Sequence, residues 1–257
     1  MTNRIIINAD DYGLDENRTK AILEGFRIGA ITRTTAIVTM PYCDKAVELI
    51  RDVGLLGRMG LHLNLTEGVP LTAEMRDCRL FCDALGCFTA DFHRNREQRL
   101  FLPRTTEDVV RNEMRAQIEK FLGYNSPCRH IDSHHHVHTD YSVARILKPL
   151  LREYGFKSIR KSRNIGLGMS FPKRLYKLMF NWYMTHGLDS TKWFGSFEDY
   201  EHCLGMVCAG DSLEVMVHPM YGSHGRLDLS APLTDNGRSF AEEMGFLLKN
   251  GLEVGCD

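Results

Sequence analysis

Apolar and polar residues alternate along this chain with two different periods. Short β-branched runs are each followed by a longer segment whose apolar residues recur every three or four positions. Residues 4–8 read as a buried strand and 16–28 as a helix, then 34–39 as a strand, 44–52 as a helix and 58–63 as a third strand. A long irregular stretch, 66–104, comes next. A helix is expected over 106–122, with Thr105 or Thr106 as its N-cap and Glu107 and Asp108 in its first turn. The alternation resumes with a strand at 128–132, a helix at 141–154, a strand at 157–160 and helices at 171–186 and 197–208. A strand at 213–217, a helix at 237–250 and a last strand at 252–254 complete the pattern.

Repeated strand–helix alternation implies an α/β fold with parallel strands. At 257 residues the chain suits one domain over 1–257, closed as a barrel, although a doubly wound sheet has the same local pattern. There is no internal repeat, low-complexity tract or long linker.

Composition narrows the partners. The chain is 43% hydrophobic and 25% charged, enough for a sizeable core. A net charge of −1 gives no general attraction for nucleic acid or anionic membranes, so neither is expected as a partner. No apolar run approaches the roughly 20 residues needed to span a bilayer. The first strand runs straight into acids rather than a small-residue cleavage site, so a cytoplasmic location is expected. The eight cysteines then read as reduced thiols. Cys78, Cys82 and Cys87 hint at a zinc site, but their irregular spacing favours ordinary loop and core thiols.

The polar residues with chemistry gather at strand ends. Asp10 and Asp11 follow the first strand, and His62 ends the third. Asp132, His134, His135, His136 and His138 follow the fourth, Arg160 ends the fifth, and His218 follows 213–217. In a parallel α/β architecture these carboxyl ends share one face, where ligands bind. Adjacent carboxylates repel, and a divalent cation relieves that repulsion. One of the pair can then bind the ion while the other stays free as a base; the plainer alternative is a polar turn with Asp11 capping the next helix.

Four imidazoles within the five residues 134–138 strengthen the metal reading. In extended backbone His134 and His136 share a face, and in a helix His134 and His138 do. Not all four can hold one ion, so some must lie around the ligands, hydrogen-bonded to a carboxylate such as Asp132. His62 and His218 each have a competing reading as a satisfied core histidine.

The segments Asn8-Ala9-Asp10-Asp11-Tyr12-Gly13, Gly60-Leu61-His62, Asp132 through His138 and Glu214-Val215-Met216-Val217-His218-Pro219 together resemble the YdjC-like carbohydrate deacetylases, which include the chitooligosaccharide deacetylases. The resemblance implies a (β/α) barrel-like, TIM-barrel-related fold with the active site at the strand C-terminal ends. It implies an N-acetylated carbohydrate as substrate, a divalent metal and a possible homodimer. Carried over by residue, Asp11, His62 and His134 would be the metal ligands, Asp10 the general base and His218 a candidate acid. Asp132, His136, His138 and Arg160 would support the ligands or meet substrate, with Arg160 orienting Asp10 unless it is a plain surface arginine. Two imidazoles and a carboxylate favour zinc, manganese or cobalt, whereas the family suggests magnesium.

Two features stand outside this picture. Residues 157–177 hold seven Lys or Arg and no acid, which reads as a solvated basic face or an anion-attracting surface. Leu178 to Met184 is rich in aromatics and Met and reads first as core, otherwise as a substrate groove or subunit interface. Two other functions compete: a barrel metallohydrolase of another amide or a phosphoester, with a second metal among His134–His138, and a metal- or sugar-binding protein without turnover.

Overall fold

Seven strands hydrogen-bond side by side, every neighbouring pair parallel: β1 (Arg4–Tyr12), β2 (Arg33–Ala36), β3 (Met59–Leu63), β4 (His130–Ser133), β5 (Ser158–Ile159), β6 (Trp193–Ser196) and β7 (Ser212–Val217). The computed structural model describes residues 4–166, 170–196, 198–199, 207–208, 210–222 and 227–228. The sheet order is β5-β4-β3-β2-β1-β7-β6. That is chain order with β7 returning to β1, the order of a barrel; among the described residues no ladder joins β5 to β6. Irregular backbone reaches between those two edges instead. Ile159 N–H donates to Asp189 O at 3.0 Å, and Asn164 N–H donates to Phe194 O at 3.2 Å. The architecture is therefore a curled parallel sheet surrounded by helices.

Helices cover the outer face: α1 (Glu16–Arg27), α2 (Cys43–Asp52), the short α3 (Ala73–Arg76), α4 (Asp91–Arg94) and α5 (Arg96–Leu100), then α6 (Arg104–Gly123), α7 (Tyr141–Glu153) and α8 (Phe171–Thr185). Alternate strand residues feed that outer layer. Ile5, Ile7 and Ala9 of β1, Met59, Leu61 and Leu63 of β3, and Leu213, Val215 and Val217 of β7 are all buried in one apolar core with the helices. The other alternate set points inward and is polar: Asn8 and Asp10, Thr35, His62, His130 and Asp132, Arg160 and Glu214 are buried, and most contact one another.

Several elements depart from the sequence pattern. β1 extends to Tyr12, so the two acids lie within the strand rather than after it. β2 ends at Ala36, short of the expected 39. The stretch 66–104 is not featureless, since α3 to α5 lie in it and its Phe81, Phe88 and Phe92 are buried. α6 begins at Arg104 with Pro103 in the N-cap position and no side-chain cap, because proline has no side-chain acceptor; its ring fixes the entry φ at −57° instead. β6 is a strand that the pattern missed. Of the expected helix 197–208, only residues 198–199 and 207–208 are described, and the expected helix 237–250 and strand 252–254 lie outside the described residues.

Within α8, Phe180 and Met184 are buried but Leu178, Met179 and Trp182 are about two-thirds exposed, which corrects the core reading of that run. Cys78, Cys82 and Cys87 are free thiols, and among the described residues no metal-ligand cluster includes a cysteine. No described helix is long and apolar enough to cross a membrane.

Gly60 marks the tightest point of the interior. A Cβ there would lie 2.8 Å from His130 O and 3.2 Å from Thr35 Cγ2. Both neighbours sit on strands beside β3 and cannot withdraw freely. Gly60→Ala is expected to destabilise the fold by about 1–3 kcal/mol through overpacking, measured by urea unfolding; an unchanged midpoint would show that the strands can part.

Candidate metal centre

The two adjacent carboxylates are separated by the backbone. Asn8 and Asp10 follow strand alternation and face the interior. Asp11 would face outward, but its φ is +67° and the β1–β2 register slips between Ala9 and Tyr12. This left-handed residue turns the Asp11 carboxylate back to the same end as Asp10. Asp11 is not a helix cap; Asp15 caps α1, accepting from Arg18 N–H at 2.7 Å.

Asp11 Oδ1 lies 2.8 Å from His134 Nδ1 and 3.3 Å from His62 Nε2. The ligand atoms of Asp11, His62 and His134 all lie within 4.8 Å of one another, and all three residues are buried. Ligands about 2.0–2.2 Å from a tetrahedral ion stand roughly 3.3 Å apart, so this Asp-His-His set fits a divalent cation. His62 Nδ1 is 2.7 Å from Asp132 Oδ1 and 3.1 Å from Thr35 Oγ1. A carboxylate can only accept, so Nδ1 carries a hydrogen toward Asp132, and Nε2 is the nitrogen that faces Asp11 and would meet the ion. His134 has a matching partner: its Nε2 is 2.9 Å from Glu67 Oε2. Asn64, just after β3, positions that glutamate by accepting from the Thr66 and Glu67 N–H groups at 3.0 and 3.2 Å.

Asp10 is held from behind. Arg160, completely buried and not a surface arginine, meets it with two 2.6 Å bonds, Nη1 to Oδ2 and Nη2 to Oδ1. Asn8 Nδ2 donates to Asp10 Oδ1 at 2.8 Å. Arg160 also contacts Asp132 Oδ2 at 2.8 Å and Glu214 Oε1 at 2.6 Å, and its guanidinium lies 4.8 Å from the Phe194 ring centroid. Burial alone would raise the Asp10 pKa, but the Arg160 charge and hydrogen bonds outweigh it and hold the carboxyl well below the usual range.

The histidine run is neither strand nor regular helix. His135 and His136 have φ of +50° and +57° inside a 3-10 turn, so neither expected face-sharing pattern applies. The His135 ring lies against that of His134, tilted by 37° with centroids 4.0 Å apart. His136 Nδ1 is buried without a hydrogen-bond partner, and its ring stands edge-on to Phe194. His138 is 1% exposed and occupied at both nitrogens, by Ser133 Oγ at 2.5 Å and Arg160 O at 3.2 Å. It therefore fixes the Arg160 backbone and has no nitrogen free for a substrate. His218 follows β7; one step beyond the Ala9–Val217 pairing, the register sets it beside Asp10, and it acts electrostatically on that carboxylate.

The sequence pattern assigns no role to Glu67, Thr35, Asn8, Arg33 or Glu214, although Asn8 and Glu214 open two of the segments that carry the family resemblance. Glu214 carried a usable signal, because a lone acid in a buried β-branched strand shares the face of His218 by alternation.

The YdjC-like protein family profile matches residues 4–253. The chain belongs to this family. A carbohydrate deacetylase of Vibrio cholerae serotype O1 (strain O395) is 32% identical over 222 residues, which is 85% of this chain and 79% of the relative. A carbohydrate deacetylase of Clostridium beijerinckii is 32% identical over 225 residues, 85% of this chain and 82% of that one. A crystal structure described as a cellobiose-phosphate cleavage protein of Enterococcus faecalis V583 superposes with a TM-score of 0.71 at 23% identity, covering 99% of this chain and 97% of the other. At that identity the likeness speaks for the barrel-like fold alone. The YdjC-like chain thus combines membership of a family containing deacetylases with a divalent-metal site whose geometry is consistent with amide hydrolysis.

Two pH effects follow. Without metal, burial disfavours a charged His62, but Asp132 and Asp11 overcome it and raise its pKa to about 10. An ion binding at neutral pH must therefore displace a proton, and affinity is expected to rise about tenfold per pH unit from 7 to 9 for one proton. Calorimetry in buffers of different ionisation enthalpy should register the release; a pH-independent affinity would refute it. Glu214 behaves oppositely: burial would raise it, but Arg33 and Arg160 lower its pKa from 4.5 to about 2. A lowered folded-state pKa adds stability above the unfolded value that is lost as pH falls toward the folded one. Glu214→Gln should flatten the loss of stability between pH 4.5 and 2, read from unfolding midpoints in acid buffers.

Proposed function

We propose that this chain removes the acetyl group from an N-acetylated sugar or oligosaccharide as a divalent-metal-dependent deacetylase. The observation that carries the reading is the pairing of an Asp11-His62-His134 ligand set with a separate, arginine-held Asp10 at one end of the barrel. Asp11, His62 and His134 would hold the ion, with zinc, manganese or cobalt fitting two imidazoles better than magnesium. When bound, it would supply Lewis acidity for the acetyl carbonyl and make water a better nucleophile.

The protein groups divide the remaining tasks. Asp10 is ionised throughout the physiological range and takes a proton from the attacking water. Arg160 fixes both carboxylate oxygens, so the base keeps one orientation. Asp132 and Glu67 hold His62 and His134 in single tautomers. His218 gives a proton to the departing amine as the C–N bond breaks, since an unprotonated amine leaves poorly. His136, whose Nδ1 is buried without a partner, packs edge-on against Phe194 beside the Arg160 guanidinium. A second metal within the histidine run is disfavoured, because among the described residues His135, His136 and His138 join no ligand cluster.

An acetate-release screen over N-acetylated mono- and oligosaccharides, with metal content measured on the same sample, tests the reading. Asp10→Asn is expected to retain metal and lose turnover by roughly 10²–10⁴-fold. Asp132→Asn should weaken metal binding about 10–100-fold. Equal metal loss in Asp10→Asn and Asp11→Asn would overturn the division of roles. Tight metal binding with no acetate from any N-acetyl sugar would leave a binding protein instead.

A further inference from the structure

At the opposite end of the sheet, where the strands begin, lies a cavity of about 300 Å³. Its walls come from strand starts and the turns before them, and they include Arg33, Arg58, Arg129, His130 and Lys157. No carboxylate lines it. Among the described residues, Arg58, Arg129 and Lys157 have no acid within salt-bridge distance, whereas Arg33 is paired with Glu214. The three unpaired cations around one cavity repel each other, and an anion or solvent is needed to relieve them.

Two buried nitrogens are also left open. His130 is 3% exposed; its Nδ1 meets Ser158 Oγ at 2.9 Å, while its Nε2 is buried with no hydrogen-bond partner. Burial and the Arg33 charge keep this imidazole neutral, and in the tautomer whose Nδ1 accepts from the serine hydroxyl, Nε2 carries a hydrogen to donate. Arg129 Nη1 is likewise buried without a partner. Unmet buried donors are uncommon in folded proteins and mark a missing acceptor. A cation is a poor candidate, because the nearby Asp132 and Glu214 are already paired with Arg160 and Arg33.

We propose that this cavity is a second binding site, for a phosphate dianion, carried either as free phosphate or as the monoester of a small molecule. Guanidinium groups suit tetrahedral oxyanions because their N–H pairs match two oxygens at once. The cavity exceeds the volume of a bare phosphate and falls at the lower end of small-ligand pockets. Its place excludes a role in the bond-breaking chemistry, which lies at the strand C-terminal ends. The two ends are nevertheless joined: Arg33 Nη2 is 2.8 Å from Glu214 Oε2, Glu214 Oε1 is 2.6 Å from Arg160 Nε, and Arg160 grips Asp10. The site is thus placed to take an effector rather than a substrate.

The test uses the full chain, stripped of metal and freed of chelator. Inorganic phosphate is titrated at constant ionic strength, with chloride as control, and followed by thermal unfolding and calorimetry. A saturable rise in Tm is expected, and Arg129→Gln and Arg58→Gln should each weaken binding about tenfold, as for one lost charge-assisted contact. Asp11→Asn, which damages the other site, should leave the response intact. A hexose 6-phosphate binding more tightly than inorganic phosphate would assign the ester; equal binding would assign free phosphate. The proposal fails if phosphate acts no differently from chloride, if both arginine variants respond like the wild type, or if Asp11→Asn abolishes the effect. Arg58 is only half-buried, so its variant decides the matter should Arg129→Gln not fold.

Discussion

One guanidinium organises the interior. Arg160 is fully buried and touches Asp10, Asp132 and Glu214, carboxylates from three different strands. Removing any of these charges from water is expensive, and removing a single partner leaves the others uncompensated. The arrangement is therefore all or nothing. With Arg33 beside Glu214, two guanidiniums face three inward carboxylates, and Asp11 adds a fourth close by. The remaining excess of negative charge lies at the end where His62 and His134 stand. It explains why the metal-free protein raises the pKa of both histidines. A proton and a divalent ion are alternative answers to the same local charge, and the ion answers it with ligands already in place.

The same interior separates two chemically identical residues. Asp10 obeys strand alternation and falls to Arg160; Asp11 breaks it through a left-handed backbone and falls to the histidines. Such a conformation is unfavourable for a residue with a side chain, though least so for Asp and Asn. It is retained where two carboxylates must reach one site from consecutive positions.

Much of this was legible in the sequence. Alternating periods located six of the seven strands, and the strand-end rule gathered Asp10, Asp11, His62, His134, Arg160 and His218 before any geometry was known. β6 escaped because Trp193-Phe194-Gly195-Ser196 is short and carries no β-branched residue. The roles within 134–138 escaped because positive φ at His135 and His136 belongs to neither regular period. Glu67 escaped because it comes from the long insertion, where an Asx turn at Asn64, not a repeating pattern, sets its direction. Thr35 and Glu214 were hidden in strands read for their apolar members, and Arg33 lies just before the strand expected at 34–39.

Those last three point to a division of labour built into the strand itself. Side chains one residue apart face opposite sides of the sheet. On the outer side, Ile5, Ile7, Leu61, Leu213 and Val215 pack against helices and supply the stability. On the inner side, Asn8, Thr35, His62 and Asp132 are linked to one another, and Arg160 ties Glu214 to them, in one buried polar column. A polar column of this kind would be a liability in a protein whose core lay inside the barrel. Here the apolar core lies outside the sheet, so the interior is free to carry charge from one strand end to the other. The short reach from Arg33 at the strand starts to Asp10 at the strand ends is a consequence of that choice.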